Sequence, residues 1–285
     1  MIVYFNGKFM DKDKIHISPD DRGFLFADGL YEVFRSYQGY FLGAKDHITR
    51  LNHGAAHLKL KQTNFSQLEE VAHELILLNN LTSQEATVYI QVTRGAANRS
   101  HAFPNPLPDL TIYMAASKFD AVKVLNNQKQ GIHAITVSDT RWARCDMKTT
   151  GLTANVLANQ MAVEKGAKEA IFIRDGVMLE GTHSNFMAVF DNKLVTTPLS
   201  NYILGGITRK LVLDLCQIAK IEVEERPIFE KDIYMASEMM IVGTTVEITP
   251  IVRMDNVVFK DGKPGPVAKI LQAALNLEID RLKAI

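Results

Sequence analysis

Two stretches near the start of the chain, residues 2–10 and 29–43, alternate apolar and polar side chains as half-buried β-strands do. Asn6-Gly7 interrupts the first stretch and Gln38-Gly39 interrupts the second. Dipeptides that end in glycine favour the tight turns of hairpins, so the chain is predicted to begin with two β-hairpins.

The apolar period then lengthens to three and four residues, which is typical of amphipathic helices. Residues 44–60 show this period, and so do residues 65–80. Ser66 and Glu69 stand three positions apart at the start of the second segment, the spacing of a capping box. We therefore expect two helices here, the second with Ser66 as its N-cap.

The rest of the chain repeats these two periods, with turn residues between the segments. The predicted strands lie at residues 86–95, 109–117, 132–138, within 169–198 and near 238–254, and the predicted helices lie at 153–165, after Gly205-Gly206 and at about 265–283.

Short antiparallel strands with helices grouped between them indicate an α+β fold rather than a doubly wound parallel sheet. The polar segment 117–131 lies near the middle of the chain and is predicted to be part of the connection between two lobes. The predicted domains are an N-terminal lobe of residues 1–120 and a C-terminal lobe of residues 121–285.

The composition argues against several classes of function. Lys+Arg and Asp+Glu both number 32, and this balance gives no support for binding to nucleic acid or to an anionic membrane surface. No apolar run reaches the roughly 20 residues of a transmembrane helix, and the polar start of the chain lacks the apolar core of a signal peptide. Neither the two cysteines nor the histidines show metal-ligand spacing, so we expect no metal site. The two cysteines also make no disulfide framework, so we expect a cytoplasmic protein.

Lys148 is the first candidate for chemistry, because it stands between Met147 and Thr149 where a predicted strand gives way to a predicted helix. Most lysines in such a place extend into solvent. Trp142 and Cys145 indicate a packed segment instead, in which an amine can lose its proton and attack an aldehyde cofactor. The segment alone leaves both interpretations open.

Three other segments carry groups that would serve a phosphorylated cofactor. Glu180 is either an exposed turn residue or a carboxylate that faces a pyridine nitrogen. The glycine-rich segment 203–210 leads into a helix whose first amides could bind phosphate, helped by the hydroxyl-rich loop 243–250 and by Arg50. An ordinary helix start and a surface ion pair explain the same residues.

Arg99 and His101 lie two positions apart in an irregular loop, and Tyr31 lies on a predicted strand. An arginine fork and a histidine donor suit a carboxylate ligand, although a solvated loop is an equally valid interpretation of the spacing. Tyr31 is by default a core aromatic residue whose hydroxyl could face a pocket.

Taken in order, seven segments resemble the fold-type IV pyridoxal-phosphate aminotransferases over nearly the whole chain. They are "DDRGFLFADGLYEVFRSYQG", "DHITRL", "TRG", "RWARCDMK", "LEGTHSNF", "LGGITR" and "GTTVEITP". Within the family the chain is most similar to the D-amino-acid (D-alanine) aminotransferases, which carry an Arg-x-His in the loop that reads "RSHAFP" here.

This resemblance implies a two-lobed fold with pyridoxal 5'-phosphate between the lobes. Lys148 would hold the cofactor covalently and move the substrate proton, Glu180 would pair with the pyridine nitrogen, and Leu204 would pack behind the ring. The phosphate would be bound by Arg50, Ile207, Thr208 and Thr244.

The same resemblance implies that Tyr31, Arg99 and His101 fix the substrate α-carboxylate, with Arg99 and His101 supplied by the other subunit of a homodimer. The implied reaction converts D-alanine and 2-oxoglutarate into pyruvate and D-glutamate. The chain departs from the D-alanine members at Thr182-His183-Ser184, where they carry a run of serines, and this leaves the pH optimum open.

Four alternatives remain at this point. The chain could be a branched-chain L-amino-acid aminotransferase, an (R)-amine aminotransferase or an aminodeoxychorismate lyase, all of which share the cofactor apparatus. It could also be a catalytically silent relative that only binds pyridoxal phosphate.

Overall fold

The computed structural model describes residues 1–284, which divide into two compact units. The first unit comprises Met1–Asp120 together with Met147–Gly151, and the second comprises Ala121–Asp146 together with the chain from Leu152 onward.

The first unit is an antiparallel sheet with two helices against one face. Its sheet has the strand order β2-β1-β6-β5-β3-β4. The elements are β1 (Ile2–Phe5), β2 (Lys8–Asp11), α1 (Arg22–Phe26), β3 (Gly29–Tyr37), β4 (Tyr40–Phe41), α2 (Ala44–His57), α3 (Leu68–Leu78), β5 (Glu85–Thr93) and β6 (Thr111–Lys118).

The second unit is built on a larger, mixed sheet in the order β12-β11-β10-β14-β15-β7-β8-β9-β13, with β16 paired to β15. Its elements are α4 (Ala121–Gln130), β7 (Ile132–Ser138), α5 (Thr153–Glu164), β8 (Glu169–Arg174), β9 (Val177–Gly181), β10 (Asn185–Phe190), β11 (Lys193–Thr196), α6 (Ile207–Ile218), β12 (Val223–Glu225), β13 (Ile228–Phe229), β14 (Glu238–Gly243), β15 (Glu247–Met254), β16 (Val257–Val258) and α7 (Pro266–Lys283).

Both predicted hairpins at the start of the chain are confirmed. Asn6 and Gly7 have φ of 46° and 88°, and Gln38 and Gly39 have φ of 55° and 95°. Two successive residues with positive φ give the turn twist that matches antiparallel strands, and glycine adopts such angles without strain.

Strand β3 alternates between the two faces of its sheet, and this alternation fixes which side chains enter the core. Leu30 and Phe34 point toward α2 and α3, where they join the buried apolar cluster of the first unit. Glu32 lies on the same face as these two residues, while Tyr31 lies on the opposite face. A charged side chain is therefore placed inside an apolar core.

The segment that carries Lys148 pairs with the open edge of β3, and this corrects its predicted place in the C-terminal lobe. Tyr31 N donates to Lys148 O at 3.0 Å, Thr150 N donates to Gly29 O at 3.0 Å, and Leu30 and Thr149 form a bridge. Because β4 covers only the far end of β3, its first residues leave backbone groups that this short segment satisfies.

The predicted start of α3 at Ser66 is wrong. The N-cap position is Gln67, which makes no side-chain cap bond, and the helix begins at Leu68. Phe65 is fully buried, and its amide donates to Asn52 Oδ1 at 2.9 Å. The buried Phe65 fixes the chain direction before the helix, so tertiary packing overrides the local capping signal.

The segment 117–131, predicted to be part of the connection between the two lobes, forms helix α4 over most of its length. Val124 is its one buried residue, and Gln128 donates to Glu247 Oε2 at 2.7 Å. Because only Val124 of this helix is buried, the apolar positions of the segment show too weak a helical periodicity to predict a helix.

The second sheet is also less antiparallel than its sequence indicates. Strand β7 runs parallel to β8 and to β15, and β11 runs parallel to β12. Helix α5 connects β7 to β8, the crossover that a parallel neighbour requires.

Within residues 1–284, none of the helices has both the length and the apolar composition needed to cross a membrane.

Both cysteines are expected to react slowly with thiol reagents in the folded protein. Burial raises the pKa of Cys145 and of Cys216 to about 11, and the thiolate is the reactive form. With 5,5'-dithiobis(2-nitrobenzoic acid) at pH 8, the native chain should release almost no thionitrobenzoate in the first minutes, and the urea-unfolded chain should release two equivalents. Rapid labelling of both thiols in the native protein would contradict this environment.

Candidate active site

Lys148 is held at the edge of β3 with its amine against an aromatic ring. Its Nζ lies 4.2 Å from the centroid of the Tyr31 ring. Tyr31 in turn stacks on Tyr89 at 5.9 Å, and the Tyr89 hydroxyl donates to Gln91 Oε1 at 2.7 Å. Burial and the neighbouring Tyr31 raise the pKa of Tyr89 to about 12, so it stays a neutral donor.

The carboxylate of Glu32 forms the centre of a buried charge cluster on the other face of β3. Its side chain is 0% exposed. Arg50 of α2 donates through Nε to Oε1 at 2.7 Å and through Nη2 to Oε2 at 2.7 Å, while His47 Nδ1 lies 2.7 Å from Oε2. This fork fixes the plane of the Arg50 guanidinium.

The cluster sets the charge state of its members. Burial disfavours the charged form of Glu32, but the charge and hydrogen bonds of Arg50, together with the His47 bond, hold its pKa well below the usual range. Burial also lowers the pKa of His47. The hydrogen bond and negative charge of Glu32 raise this pKa, but the positive charges of Arg50 and Lys148 lower it, and the pKa lies below its usual value. The arrangement is therefore an ionised Glu32, a charged Arg50 and a neutral His47 that donates from Nδ1.

In the second unit, the carboxylate of Glu180 lies at the end of β9 and is held by donors from three directions. Arg141 Nη1 donates to Oε1, Asn185 Nδ2 donates to Oε2 at 3.2 Å, and the amide of Leu204 donates to Oε2 at 3.0 Å. Glu180 is a buried carboxylate rather than an exposed turn residue.

Arg141 is itself fixed by a second carboxylate. Its Nε donates to Asp139 Oδ1 at 2.9 Å, and its guanidinium lies 4.2 Å from the centre of the Phe172 ring. Arg174 donates to Asp139 Oδ2 at 3.1 Å. Burial opposes the charge of Arg141, but the bonds to Asp139 and the charge of Glu180 raise its pKa, so the guanidinium stays charged beside Glu180.

The glycine turn before α6 presents backbone amides at the helix start. Gly206 is the N-cap, and α6 has no side-chain cap bond there, so the amides of its first turn are available to an anion. A Cβ at Gly206 would collide with the side chain of Asn185, which also donates to Leu204 O at 2.9 Å. The turn is thereby tied to the residue that binds Glu180.

Thr244 lies in the turn between β14 and β15, next to the segment that follows Glu180. A Cβ at Gly243 would lie 3.5 Å from His183 O and 3.7 Å from the Cα of Ser184. His183 is 45% exposed in its side chain, and its Nδ1 lies 3.0 Å from Thr182 Oγ1 and 3.4 Å from Glu169 Oε2. His183, which stands within the predicted departure from a run of serines, thus places a half-exposed imidazole beside the buried carboxylate of Glu169.

Arg99 and His101 lie in the irregular loop between β5 and β6, and both are exposed. Their side chains share one partner, the ring of Phe26: the Arg99 guanidinium lies 5.2 Å from its centroid and the His101 ring lies 5.6 Å away.

The structure groups the predicted site residues into three sets. The first unit brings Lys148, Tyr31 and Arg50 around β3 and presents Arg99 and His101 on its loop. The second unit groups Glu180, Leu204, Ile207, Thr208 and Thr244 around the end of β9 and the start of α6.

Sequence reasoning missed the buried residues that fix these groups. Glu32 carried a detectable signal, because a carboxylate on the core face of an alternating strand requires a cation partner. Asp139 and Arg141 gave no such signal, because they lie in an irregular stretch after β7 and not on an alternating strand. The inference that Trp142 lies in packed surroundings is wrong, because the residue is 50% exposed; Cys145 is buried.

Comparison with known proteins gives the family. Residues 29–254 match the amino-transferase class IV family. The chain is 37% identical over 279 residues to a D-alanine aminotransferase of Staphylococcus haemolyticus, with 98% of each chain covered. It is 38% identical over 282 residues to a D-alanine aminotransferase of Bacillus licheniformis, with 98% of this chain and 97% of that one covered.

Among solved structures, the branched-chain amino acid aminotransferase from Escherichia coli is similar with a TM-score of 0.88 and 25% identity. That similarity covers 96% of this chain and 92% of the other. The chain belongs to the amino-transferase class IV family and is a pyridoxal-phosphate-dependent aminotransferase. The predicted α+β fold of the fold-type IV enzymes is confirmed, and so is the predicted cofactor.

The residues present fit pyridoxal phosphate. The cofactor needs a lysine amine, a carboxylate for its ring nitrogen and donors for its phosphate. The chain offers Lys148, the buried carboxylate of Glu180 and the uncapped amides at the start of α6. Among residues 1–284, no group of three or more His, Cys, Asp or Glu side chains is arranged to hold a metal ion.

Replacement of Glu32 by glutamine should destabilise the protein in a pH-dependent manner. The variant removes the negative charge that the partly buried Arg50 binds, which should lower the free energy of unfolding by about 3 kcal/mol at pH 7. The folded-state pKa of Glu32 lies below its unfolded value of about 4.3, so this stability is present above pH 4.3 and is lost as the pH falls toward the folded-state pKa.

Urea unfolding of both proteins at pH 7, 5 and 4 checks this expectation. The difference between wild type and Glu32→Gln should be constant from pH 7 to 5 and should begin to shrink near pH 4. The exposed Glu70→Gln of α3 is the matched control and should change little. Equal free energies of unfolding for wild type and Glu32→Gln at pH 7 would show that the charge of Glu32 does not stabilise the folded protein.

Proposed function

We propose that this enzyme transfers the amino group of D-amino acids to 2-oxo acids, with D-alanine and 2-oxoglutarate as substrates and pyruvate and D-glutamate as products. The observation that carries this proposal is the similarity to D-alanine aminotransferases at 37% and 38% identity over 98% of the chain. The Arg99-x-His101 loop supports it, because the loop presents two carboxylate-binding side chains together.

Lys148 is the proposed catalytic residue, and it both anchors the cofactor and transfers the substrate proton. Its amine lies against the face of Tyr31, which limits the directions from which it is hydrated. Burial, together with the positive charges of Arg50 and Lys148, lowers the pKa of His47 below its usual value. In the first half-reaction Lys148 Nζ would take the proton from the Cα of the donor amino acid, and in the second it would deliver a proton to the Cα of the newly formed amino acid.

Bound pyridoxal phosphate supplies the electron-withdrawing ring that stabilises negative charge at the substrate Cα. Glu180 is proposed to accept the hydrogen bond of the ring nitrogen, a role that requires an ionised carboxylate. Its pairing with the charged Arg141 favours that form. Leu204 is proposed to pack behind the ring. Its amide donates a hydrogen bond to Glu180, so the position of Leu204 is fixed relative to the carboxylate.

The phosphate is proposed to be bound by residues from the glycine turn, the β14–β15 turn and α2. The amides of Ile207 and Thr208 stand at the positive end of the α6 dipole. Thr244 adds a hydroxyl, and Arg50 adds a charge whose direction is fixed by Glu32. Tyr31 is proposed to act with Arg99 and His101 on the substrate α-carboxylate.

We also propose that the active enzyme is a homodimer in which Arg99 and His101 serve the site of the other copy. Both side chains are exposed on a loop, and both contact the ring of Phe26. The cytoplasm is the proposed location, which the two free, buried cysteines support.

The second candidate is a branched-chain L-amino-acid aminotransferase, because the Escherichia coli enzyme of that name has a TM-score of 0.88 to this chain. (R)-amine aminotransferases and aminodeoxychorismate lyases remain alternatives, because they share the cofactor apparatus and differ in the carboxylate loop. A silent cofactor-binding relative would bind pyridoxal phosphate without turnover, although Lys148 and Glu180 are both present.

A panel of D- and L-amino acids with 2-oxoglutarate, followed by keto-acid formation, tests the proposal. D-alanine should give pyruvate and D-glutamate, with L-leucine and L-valine at least about a hundredfold slower, the discrimination expected when the carboxylate contact is lost. A preference for branched-chain L-amino acids would overturn the assignment. Absence of all turnover with the cofactor bound would indicate the silent relative.

Arg99→Ala should raise the KM for D-alanine because one charged contact to the carboxylate is lost. A loss of about 2–4 kcal/mol corresponds to a thirtyfold to thousandfold fall in kcat/KM, and the absorption of the bound cofactor should not change. Arg226→Ala, an exposed arginine of the second unit, is the control. Unchanged D-alanine kinetics in Arg99→Ala would remove the proposed role of the loop.

Mixing two inactive variants tests whether sites are shared between copies. Lys148→Ala and Arg99→Ala should each have low activity as homodimers. After mixed unfolding and refolding, half of the molecules should be mixed dimers with one intact site each, so up to about a quarter of wild-type activity should return. No recovery beyond the sum of the parents would place Lys148 and Arg99 in the same copy's site.

A further inference from the structure

A buried arginine of α1 holds the backbone between Arg99 and His101. The Arg22 side chain is 4% exposed, and its Nη1 donates to the carbonyl of Ser100 at 2.6 Å. Ser100 is the residue between Arg99 and His101, so this contact lies at the centre of the proposed carboxylate-binding pair. A charged donor to a carbonyl at this distance is a strong hydrogen bond.

Arg22 has its own anchor, which fixes its direction. Its Nε donates to Asp28 Oδ2 at 2.9 Å. Arg94 binds the same carboxylate through Nε at 2.7 Å and through Nη2 at 2.9 Å, and Arg94 is 1% exposed. Burial opposes ionisation of Asp28, yet its two arginine partners keep its pKa below the usual value, so the anchor is charged.

Backbone contacts join the start of the loop to the same region. Arg22 N donates to Gly95 O at 3.0 Å, and Ala97 N donates to Asp20 O at 3.2 Å. Further along the irregular loop, the Arg22–Ser100 hydrogen bond holds the backbone of the loop to α1.

The ring of Phe26, one helical turn after Arg22, supports the two exposed side chains. Arg22 lies 4.8 Å from the ring centroid, and Arg99 and His101 lie at 5.2 and 5.6 Å. The frame of Asp28, Arg22 and Phe26 therefore fixes both the backbone and the side chains of the Arg99-x-His101 pair.

We propose that Arg22 is a positioning residue for substrate: by holding the Ser100 carbonyl, it keeps Arg99 and His101 at the spacing that binds an α-carboxylate. The inference rests on the proposed function of the loop. Two donors bind one carboxylate best when their positions are set before the substrate arrives, since ordering them on binding costs affinity.

The test is a double-variant cycle followed through the first half-reaction, with D-alanine mixed alone with the enzyme and the cofactor absorbance recorded. Arg22→Met should weaken D-alanine binding about tenfold and change the limiting rate less than about twofold. Arg22→Lys should recover part of the affinity, because its amine can reach one of the two acceptors. The spectrum of the bound cofactor should stay unchanged in both variants.

The decisive arm is Arg22→Met in the Arg99→Ala background, where it should weaken D-alanine binding by less than about twofold. Residues that act through one another give such non-additive effects. Full additivity, or a limiting rate that falls together with affinity, would show a general structural role and overturn the proposal. Wild-type binding by Arg22→Met would overturn it as well.

The outcomes also separate this proposal from the proposed function. If Arg99→Ala leaves D-alanine binding unchanged, the carboxylate role of the loop fails and Arg22 fails with it. If Arg99→Ala acts and Arg22→Met does not, only the positioning role fails. Should Arg22→Met not fold, Arg22→Lys takes its place in the same cycle, with a smaller loss of affinity expected and the same requirement that the loss disappear in the Arg99→Ala background. Arg253→Met, an exposed arginine of the second unit, serves as the control.

Discussion

The hydrogen bond from Tyr31 N to Lys148 O is the contact on which the proposed chemistry of Lys148 depends. It joins the residue that carries the proposed reactive amine to a strand whose register is fixed along nine residue pairs with β5. A lysine on a free loop would spread its amine over many positions. Here the backbone of the lysine behaves as part of a sheet, and only its side chain needs to adapt.

Three arginines of the enzyme each bind a carboxylate whose side chain is at most 11% exposed. Glu32 fixes Arg50, Asp139 fixes Arg141, and Asp28 fixes Arg22. Burying such pairs adds little to the free energy of unfolding, because the cost of desolvating the two charges offsets most of their attraction. The pairs instead fix the orientation of the arginine side chains, because a guanidinium bound through two nitrogens has one orientation.

The sequence allowed the elements with strong local signals to be predicted, and the exceptions have physical reasons. Asn6-Gly7 defined a hairpin because few residues accept the φ angles of that turn. Ser66 failed as an N-cap because the burial of Phe65 decided where α3 begins. The motifs pointed to Lys148, Glu180 and the glycine turn, and the alternation of β3 could have pointed to Glu32. Asp139 could not be predicted, because its importance arises only from the arginines that the fold brings to it.

The strict alternation of β3 limits how this protein can change over evolutionary time. Tyr31 faces the lysine amine and Glu32 faces the arginine of α2, and they are neighbours on opposite sides of one strand. Loss or gain of a single residue within the strand would exchange the two sides, so that an aromatic ring would enter the charge cluster and a carboxylate would leave it. Length variation should therefore accumulate at the Gln38-Gly39 turn, where an added residue disturbs neither side chain.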